Sequence, residues 1–263
     1  MAENISVLIT GASTGIGAVY AERFAQRGHN LVLVARDAGR LNALAEKLQA
    51  QYGIQAEVLQ ADLTDAQSVE KVARRLREDA SIGVLVNNAG ISLSGTFVSQ
   101  IAADISRLTA VNLNAVLMLA HAAAVRFAAE GRGSIINLAS VVGLAPEFGM
   151  TAYGATKAFV LYLSQGLHHE LGSKGVYVQA VLPAATRTEI WQRSGVDLNT
   201  IDGVMDASDM VDAALVGFDR REPVTIPPLH REDQWSLYEQ ARQAMLPEFR
   251  QAHPAPRYLL NDE

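Results

Sequence analysis

The chain has 263 residues, of which 49% are hydrophobic and 19% are charged, and none is cysteine. This composition is that of a folded globular protein and excludes disordered, collagen-like and coiled-coil classes, while the lack of cysteine excludes disulfides, thiolate metal sites and cysteine nucleophiles. The 22 basic and 28 acidic residues give a net charge of −6, which provides no overall attraction for nucleic acid or an anionic membrane.

No targeting signal is recognisable near the start of the chain. The apolar run Val7–Ile9 is far too short for a signal peptide, and no basic segment precedes it. The most membrane-like stretch, residues 110–129, carries four polar or charged side chains and lacks the roughly 20 clean apolar residues that a span needs. We therefore expect a soluble, cytoplasmic protein with no membrane partner.

Short β-branched runs alternate with helical patterns along the chain. The patterns predict strands at Ile5–Thr10, Leu31–Ala35, Ile54–Gln60, Ile82–Val86, Ser134–Leu138, Val176–Leu182 and Val224–Ile226. They predict helices at Gly15–Arg27 and near Ala38–Gln51, Asp104–Ala129 and Ala152–Leu171. Because the strands are apolar on both faces, we expect an α/β fold in which helices cover each side of a parallel sheet of about seven strands.

Local signals predict where three of the helices begin or end. Gly28 suits the position just after the first helix, and Asp37 can cap the second. Thr64 with Gln67 forms a capping box for a helix that follows the third strand.

No linker or fixed-period repeat divides the chain, so we expect one domain over residues 1–228. The remaining tail, residues 229–263, has large side chains at helical spacing between Trp235 and Met245. We predict that this tail forms a helical extension packed on the same domain, with packing on a sister subunit as the alternative.

The first predicted strand runs into a glycine-rich loop. Its residues after Thr10 are Gly11, Ala12, Ser13, Thr14, Gly15, Ile16 and Gly17. Glycines permit a tight turn and let a pyrophosphate approach the free N–H groups of the next helix. The same letters contain G-x-S-x-G, a hydrolase nucleophile elbow, but that fold needs an earlier strand for its oxyanion hole, and only ten residues precede Gly11. We therefore interpret the loop as a phosphate-binding loop.

Further motifs follow the carboxyl ends of successive strands, where open α/β sheets bind ligands. They are Asp62-Leu63, Asn87-Asn88-Ala89-Gly90, Ser140 and Pro183 through Thr188, with Asn112 and Tyr153-x-x-x-Lys157 on the helices between them. Together with the glycine loop, they resemble the short-chain dehydrogenase/reductase family over roughly residues 5–228. The resemblance implies a Rossmann-type, doubly wound fold and an oxidoreductase that transfers hydride between a nicotinamide coenzyme and a carbonyl compound or alcohol.

The chemistry of three residues supports that resemblance. Tyr153 and Lys157 are four residues apart and share one face of a helix. An unperturbed phenol titrates near pH ~10, and a cation one turn away is expected to lower the tyrosine pKa by ~1–3 units. The phenol then serves as general acid or base, while Ser140 hydrogen-bonds the substrate oxygen as negative charge develops on it.

The family's known roles carry over to matching positions. The resemblance implies that Tyr153, Lys157 and Ser140 are catalytic, that Lys157 also holds the nicotinamide ribose, and that Asn112 opens a helix by a bulge and holds a water for proton relay. The nearby Asn114 is not selected by the motif. For the coenzyme, the resemblance implies contacts from the glycine loop and from Asp62, Leu63, Asn88, Ala89, Gly90, Tyr153, Lys157, Pro183 and Thr188.

The end of the second strand bears on which nicotinamide coenzyme fits. Aligned by the family pattern, the position that carries a carboxylate in NAD enzymes is the neutral Ala35, and Arg36 follows it. A guanidinium pairs well with a phosphate, so the pattern predicts NADP. A one-residue slip would make Asp37 a ribose ligand and favour NAD, but Asp37 is better explained as a helix cap.

One departure from the family concerns the loop after the sixth strand. The usual Pro-Gly is here Pro183-Ala184, although Thr188 still stands five residues after the proline, where the family binds the nicotinamide carboxamide. We expect a slightly altered loop.

The pocket walls are expected from residues 91–97, 141–150 and 184–210. The second of these segments is largely apolar, which favours a hydrophobic carbonyl or alcohol substrate. Arg187 and Arg193 are positively charged, so an acidic group on the substrate is also compatible with this pocket. His168 and His169 lack a partner at metal-ligand spacing, so no metal site is expected.

Two further expectations concern function and assembly. The alternative to an enzyme is a catalytically silent nucleotide-binding or redox-sensing module on the same fold. The helices near residues 110–129 and 152–171 are apolar over more than one face, which indicates burial against a partner. The family resemblance extends this to a homodimer or homotetramer.

Overall fold

The structure is a computed structural model that describes residues 5–191 and 197–259. It divides into two compact units, of which one ends at Pro227 and the other begins at Pro228. The first unit contains the sheet and the candidate site, and the second contains a single α-helix among its described residues.

The first unit is built on a parallel sheet of seven strands. Its strands are β1 (Ser6–Thr10), β2 (Asn30–Ala35), β3 (Ala56–Gln60), β4 (Ile82–Asn87), β5 (Gly133–Leu138), β6 (Val176–Val181) and β9 (Val224–Thr225). They lie in the order β3-β2-β1-β4-β5-β6-β9, with Val7 of β1 opposite Leu31 on one side and Val84 on the other. The predicted doubly wound sheet is confirmed. The short β7 (Thr186–Arg187) and β8 (Met205–Asp206) form a separate pair.

Helices cover both faces of the sheet. The helices of the first unit are α1 (Gly15–Gln26), α2 (Ala38–Tyr52), α3 (Ala66–Glu78), α4 (Ala102–Thr109), α5 (Val116–Glu130), α6 (Thr151–Leu171) and α7 (Ala207–Asp219). The second unit contains α8 (Asp233–Ala244). The single long helix predicted at Asp104–Ala129 is instead two helices joined by a π-helical turn, Ala110–Ala115. The third strand also begins at Ala56 rather than at Ile54.

Two apolar layers hold the sheet between the helices. Successive strand residues point to opposite faces, so Val7 and Ile9 enter the layer under α1, α2 and α7, while Leu8 enters the layer under α3, α5 and α6. Phe24 and Phe127 are fully buried, one in each layer. Burying a side chain of this size contributes about 1.5–3 kcal/mol, which fixes the helices over the strands that they follow.

The helix caps agree with the predictions in two of three cases. Asp37 caps α2 by accepting a 3.0 Å hydrogen bond from Arg40 N, and Gly28, just after α1, has a φ of +83°. The predicted capping box of Thr64 and Gln67 is wrong: Asp65 caps α3 by accepting from Ser68 N at 2.8 Å. Thr64 is already engaged, because its N–H and its hydroxyl both donate to Asp62.

The run Ala102–Glu130 is long and apolar enough, by length and composition, to cross a membrane. More than half of the window that passes this test, 56%, is buried inside the structure. Leu119 and Phe127 from α5 pack in the layer under the sheet. The apolar character of the run therefore has a packing explanation, since core helices of globular proteins pass the same test.

Candidate active site

A cavity of about 1200 Å³ opens at the carboxyl ends of the strands. It brings together most of the residues predicted from the motifs, which come from loops far apart in the chain. The predicted residues that line it are Gly11, Ser13, Thr14, Gly15, Ile16, Arg36, Asp62, Leu63, Asn88, Ala89, Gly90, Ser140, Tyr153, Lys157, Pro183 and Thr188. Gly17 and Asn112 are not among the lining residues, and their positions are described below.

The glycine loop needs its glycines because other backbone segments approach it closely. Gly11 and Gly15 have φ values of +66° and +54°, in the left-handed region that favours glycine. A Cβ on Gly17 would collide with the carbonyl oxygen of Gly11 and lie 2.5 Å from Asn88 Nδ2. Gly17 therefore lies beneath the loop and permits its shape, while Gly11 and residues 13–16 face the cavity.

The first turn of α1 opens towards the cavity. Its N-cap residue is Thr14, and among the described residues no side chain caps this helix, in contrast to α2 with its Asp37 cap. Unsatisfied N–H groups and the helix dipole make such a terminus suited to an anion. Thr14, Gly15 and Ile16 line the cavity at this point, so the loop has the features that a pyrophosphate requires.

Thr10 ties this loop to the end of β4, a role that the sequence analysis did not assign. Its Oγ1 accepts hydrogen bonds of 3.0 Å from both Asn88 N and Ala89 N and donates to Val86 O at 3.3 Å. Asn88 Nδ2 in turn donates to Thr10 O at 2.8 Å. The only signal for Thr10 in the sequence was its place directly before the first glycine.

Ser140, Tyr153 and Lys157 meet at the other end of the cavity. Lys157 Nζ donates a 2.7 Å hydrogen bond to Leu138 O and lies 5.6 Å from the centre of the Tyr153 ring. A hydrogen bond with Ser140 lowers the pKa of Tyr153, and Ser140 Oγ donates to Pro183 O at 3.1 Å. The end of β5 and the first turns of α6 thus place a phenol, a hydroxyl and an amine around one point.

The protonation of this group differs from the prediction. Burial raises the pKa of Tyr153 to about 12, and the hydrogen bond with Ser140 opposes that rise. Burial also lowers the pKa of Lys157 to about 8. The expected lowering of the tyrosine pKa by the neighbouring cation is therefore wrong for the protein alone, because removal of both groups from water disfavours the charged form of each.

Asn112 lies in the π-helical turn between α4 and α5, which matches the helix bulge implied by the family resemblance. Its side chain is 1% exposed. Its Nδ2 donates to Ile91 O at 2.9 Å and to Thr156 Oγ1 at 3.1 Å, and its Oδ1 accepts from Ile91 N at 2.9 Å. Thr156 Oγ1 donates to Tyr153 O. Asn112 thus fixes the segment after β4 against the helix that carries the tyrosine.

The opposite end of the cavity, near the carboxyl end of β2, is rich in charge. Arg36 is exposed, and its guanidinium has no ion-pair partner in the part of the chain that the structure describes. Asp37 is occupied as the cap of α2. Arg40 and Glu189, which the sequence analysis did not single out, also line this end and pair with each other at 2.8 Å.

The segment after β6 accommodates the unusual alanine without strain. Ala184 is not in the left-handed region, where Arg221 is the one non-glycine residue found within the described ranges. Thr188 packs against the glycine loop, since a Cβ on Gly15 would lie 3.0 Å from Thr188 Cγ2. The replacement of the family glycine by Ala184 therefore leaves the threonine facing the cavity.

Much of the cavity wall is apolar. Its apolar lining residues include Leu93, Val111, Val142, Phe148, Met150, Ile190, Trp191 and Ile201. Leu144 and Ala145, expected in the pocket wall, do not line the cavity. The wall is therefore suited to an apolar ligand of considerable size.

Other candidate residues lie away from the cavity. Arg187 forms an ion pair of 2.9 Å with Asp206 and does not line the cavity. Arg193 lies outside the described residues. No cluster of three or more potential metal ligands was found within residues 5–191 and 197–259, and His168 and His169 contact each other through their rings.

Comparison with known proteins agrees with this geometry. The family model for short chain dehydrogenases matches residues 6–199. A very-long-chain 3-oxoacyl-CoA reductase from Anas platyrhynchos is 35% identical over 187 residues, which are 70% of this chain and 60% of the relative. The chain thus spans less than two thirds of the length of that curated relative.

Two solved structures are similar over almost the whole chain. A short-chain dehydrogenase from Sphingobium yanoikuyae, in complex with NADPH, is 60% identical with a TM-score of 0.96, covering 97% of this chain and all (100%) of the other. A bulky-bulky ketone specific alcohol dehydrogenase from Comamonas testosteroni is 58% identical with a TM-score of 0.92, covering 98% of this chain and 100% of the other. With the family match over most of the sheet-bearing unit, these similarities show that the chain belongs to the short-chain dehydrogenase/reductase family of oxidoreductases.

Proposed function

We propose that the protein is an NADP(H)-dependent oxidoreductase that interconverts ketones and secondary alcohols carrying two bulky, apolar substituents. The observation that carries the proposal is the meeting of Ser140, Tyr153 and Lys157 in the same cavity as the glycine loop. A binding module has no need for a phenol, a hydroxyl and an amine at one point.

The coenzyme end of the cavity fits NADP better than NAD. Arg36 offers a guanidinium with no competing ion-pair partner among the described residues, and a guanidinium suits a phosphate. Asp37, the alternative ribose ligand, is committed to the cap of α2. The Sphingobium yanoikuyae dehydrogenase, 60% identical and solved in complex with NADPH, supports the same choice.

Tyr153 is proposed as the general acid. Bound NADPH would supply the hydride, and the chain must then deliver a proton to the carbonyl oxygen. With a pKa of about 12 in the protein alone, Tyr153 carries its proton throughout the neutral range. Ser140, within hydrogen-bond reach of the same hydroxyl, would stabilise the developing negative charge on the substrate oxygen.

Lys157 has two proposed tasks. Its Nζ is anchored to Leu138 O and would hold the coenzyme ribose, because an ammonium has further hydrogens to donate. Its positive charge beside the Tyr153 ring would favour the phenolate left after proton transfer. Asn112 holds the segment at Ile91 and, through Thr156, the backbone of Tyr153, so we assign it a positioning role.

The substrate class rests on the apolar wall and on one similar protein. The cavity of about 1200 Å³ exceeds the ~300–1,000 Å³ typical of a single ligand, which leaves room for a substrate beside a dinucleotide. Phe148, Met150 and Trp191 contribute large apolar side chains to the cavity that also contains the catalytic group. The name bulky-bulky ketone specific alcohol dehydrogenase, carried by a 58% identical structure, supports ketones with two large substituents.

The test is oxidation of NADPH and of NADH with a graded set of ketones: acetone, acetophenone, benzophenone, and a 3-oxoacyl-CoA. We expect NADPH with benzophenone to give the highest kcat/KM. Higher kcat/KM for acetone than for benzophenone would contradict the substrate class. NADPH binding without turnover on any of the ketones would favour the alternative, a catalytically silent module.

We also propose that the protein assembles as a homodimer or homotetramer through α5 and α6. The supporting observation is that both helices expose large apolar side chains: Leu117 is 42%, Val125 55% and Tyr162 80% exposed. Unpartnered apolar surface of this kind marks interaction sites. Light scattering behind a sizing column tests this, and a mass near 28.2 kDa, that of one chain, would reject it.

A further inference from the structure

Arg40 and Glu189 form an ion pair between two segments that are 149 residues apart in the chain. Arg40 lies in the first turn of α2, and Glu189 lies in the segment after β6. Arg40 Nη1 donates to both carboxylate oxygens of Glu189, at 3.0 and 2.8 Å. Both residues line the same cavity as Arg36, so the pair lies at the end where the 2′-phosphate of NADP is proposed to bind.

Charged side chains of both signs lie at this end of the cavity among the described residues. Arg36 and Arg40 are positive, whereas Asp37 and Glu189 are negative, and Arg40 Nε also lies 3.4 Å from Asp37 Oδ2. A phosphate monoester carries a charge of about −1.5 to −2 at neutral pH. Arg36 alone therefore cannot neutralise such a group, and among the described residues at this end Arg40 offers another guanidinium.

The ion pair between Arg40 and Glu189 can readily be replaced by a pair between Arg40 and a phosphate. The side chain of Arg40 is 49% exposed and that of Glu189 is 38% exposed, and ion pairs in contact with water contribute little to stability. A phosphate offers a guanidinium more charge than a carboxylate does, with the same two-pronged geometry. Exchange of one partner for the other therefore requires a rotation of the arginine side chain and no change of fold.

We infer that Arg40 is a second guanidinium for the 2′-phosphate of NADP(H), and that Glu189 competes with the phosphate for it. Arg40 thereby determines coenzyme specificity together with Arg36, and Glu189 sets how tightly the phosphate is held. This inference rests on the proposed use of NADP(H).

The experiment measures binding rather than turnover, by isothermal titration calorimetry with 2′,5′-ADP and with 5′-AMP. Arg40→Met removes the charge and keeps the aliphatic stem. It should lower the affinity for 2′,5′-ADP about ten-fold, while the affinity for 5′-AMP should change less than two-fold. Arg27→Met is the matched control, because Arg27 also pairs with an exposed carboxylate, Asp219, away from this cavity. It should bind both nucleotides as the wild type does.

Glu189→Gln tests the competition. It should bind 2′,5′-ADP several-fold more tightly than the wild type and 5′-AMP unchanged. In the double variant with Arg40→Met this gain should vanish, since Arg40 no longer offers a guanidinium to the phosphate. A gain that persists in the double variant would mean that Glu189 only repels the phosphate, and would overturn the competition.

The possible failures are distinguishable. If the wild type does not prefer 2′,5′-ADP over 5′-AMP, the proposed use of NADP(H) is wrong. If it has the preference and Arg40→Met keeps it, the NADP proposal stands and the role of Arg40 is rejected. An equal loss of affinity for both nucleotides in Arg40→Met would show that the ion pair with Glu189 only holds two segments of the fold together. That result would also reject the role of Arg40 in phosphate binding.

Discussion

Lys157 Nζ donates a 2.7 Å hydrogen bond to the carbonyl oxygen of Leu138, the last residue of β5. This bond joins α6, which carries Tyr153, to the strand just before Ser140. It also holds the amine in the interior, where Lys157 is only 5% exposed. A buried ammonium is costly for the fold, and that cost makes its effect on stability measurable.

Replacement of Lys157 by methionine should change how stability depends on pH. In the folded protein without nucleotide, burial lowers the pKa of Lys157 from 10.5 to about 8. Between these values the unfolded chain binds more protons than the folded one, so the wild type gains stability as pH rises. Urea unfolding at pH 7 and pH 9.5 should show the wild type gaining about 2 kcal/mol relative to Lys157→Met. Parallel pH dependences would contradict the lowered pKa.

Replacement of Tyr153 by phenylalanine should abolish turnover and leave coenzyme binding nearly unchanged. Only the proton-donating oxygen is removed, and general acid catalysis contributes about 10²–10⁴-fold. We expect kcat to fall by at least this factor, with the Kd for NADPH within two-fold by fluorescence titration. Tyr162→Phe, on the same helix but 80% exposed, is the control. Retention of even a tenth of wild-type kcat by Tyr153→Phe would rule out the acid role.

Replacement of Arg36 by glutamate should reverse or strongly reduce the preference for NADP. A charged hydrogen-bond partner lost from the phosphate is worth about 1.5–3 kcal/mol, or about ten- to a hundred-fold in affinity. Fluorescence titration with NADPH and NADH measures both affinities. Arg220→Glu, the same change at a residue 70% exposed and away from the cavity, should leave them unchanged. Tighter binding of NADH than NADPH by the wild type would make Asp37 the ribose ligand instead.

Replacement of Gly17 by alanine should deform the glycine loop. The added Cβ would collide with the Gly11 carbonyl, and overpacking of this kind costs about 1–3 kcal/mol. We expect a lower free energy of unfolding in urea and loss of NADPH binding. Gly166→Ala in α6 adds its Cβ where no heavy atom lies within 4 Å, so it should be neutral or stabilising by up to about 1 kcal/mol. Equal behaviour of the two variants would refute the steric explanation.

The sequence by itself determined the sheet, the helices and most of the residues around the cavity. These features depend on short-range signals: apolar runs that form strands buried on both faces, helical spacing, and a glycine loop directly after the first strand. Because parallel strands end at the same edge of the sheet, motifs that follow those strands meet there whatever their distance along the chain. Arg36 could be assigned to the cavity on that basis, because it follows the second strand. Tyr153 and Lys157 lie on a helix and were assigned through the family resemblance.

Only the tertiary structure decided features that depend on competition between neighbours or on burial. Asp65 rather than Thr64 caps α3, because Asp62 engages Thr64 first. The pKa of Tyr153 rises, since burial disfavours the phenolate more than the hydrogen bond with Ser140 favours it. The ion pair of Arg40 with Glu189 joins residues from distant segments, and no periodicity connects them. Burial from solvent and ion pairs between distant residues depend on the folded chain as a whole. Local sequence patterns therefore do not predict them.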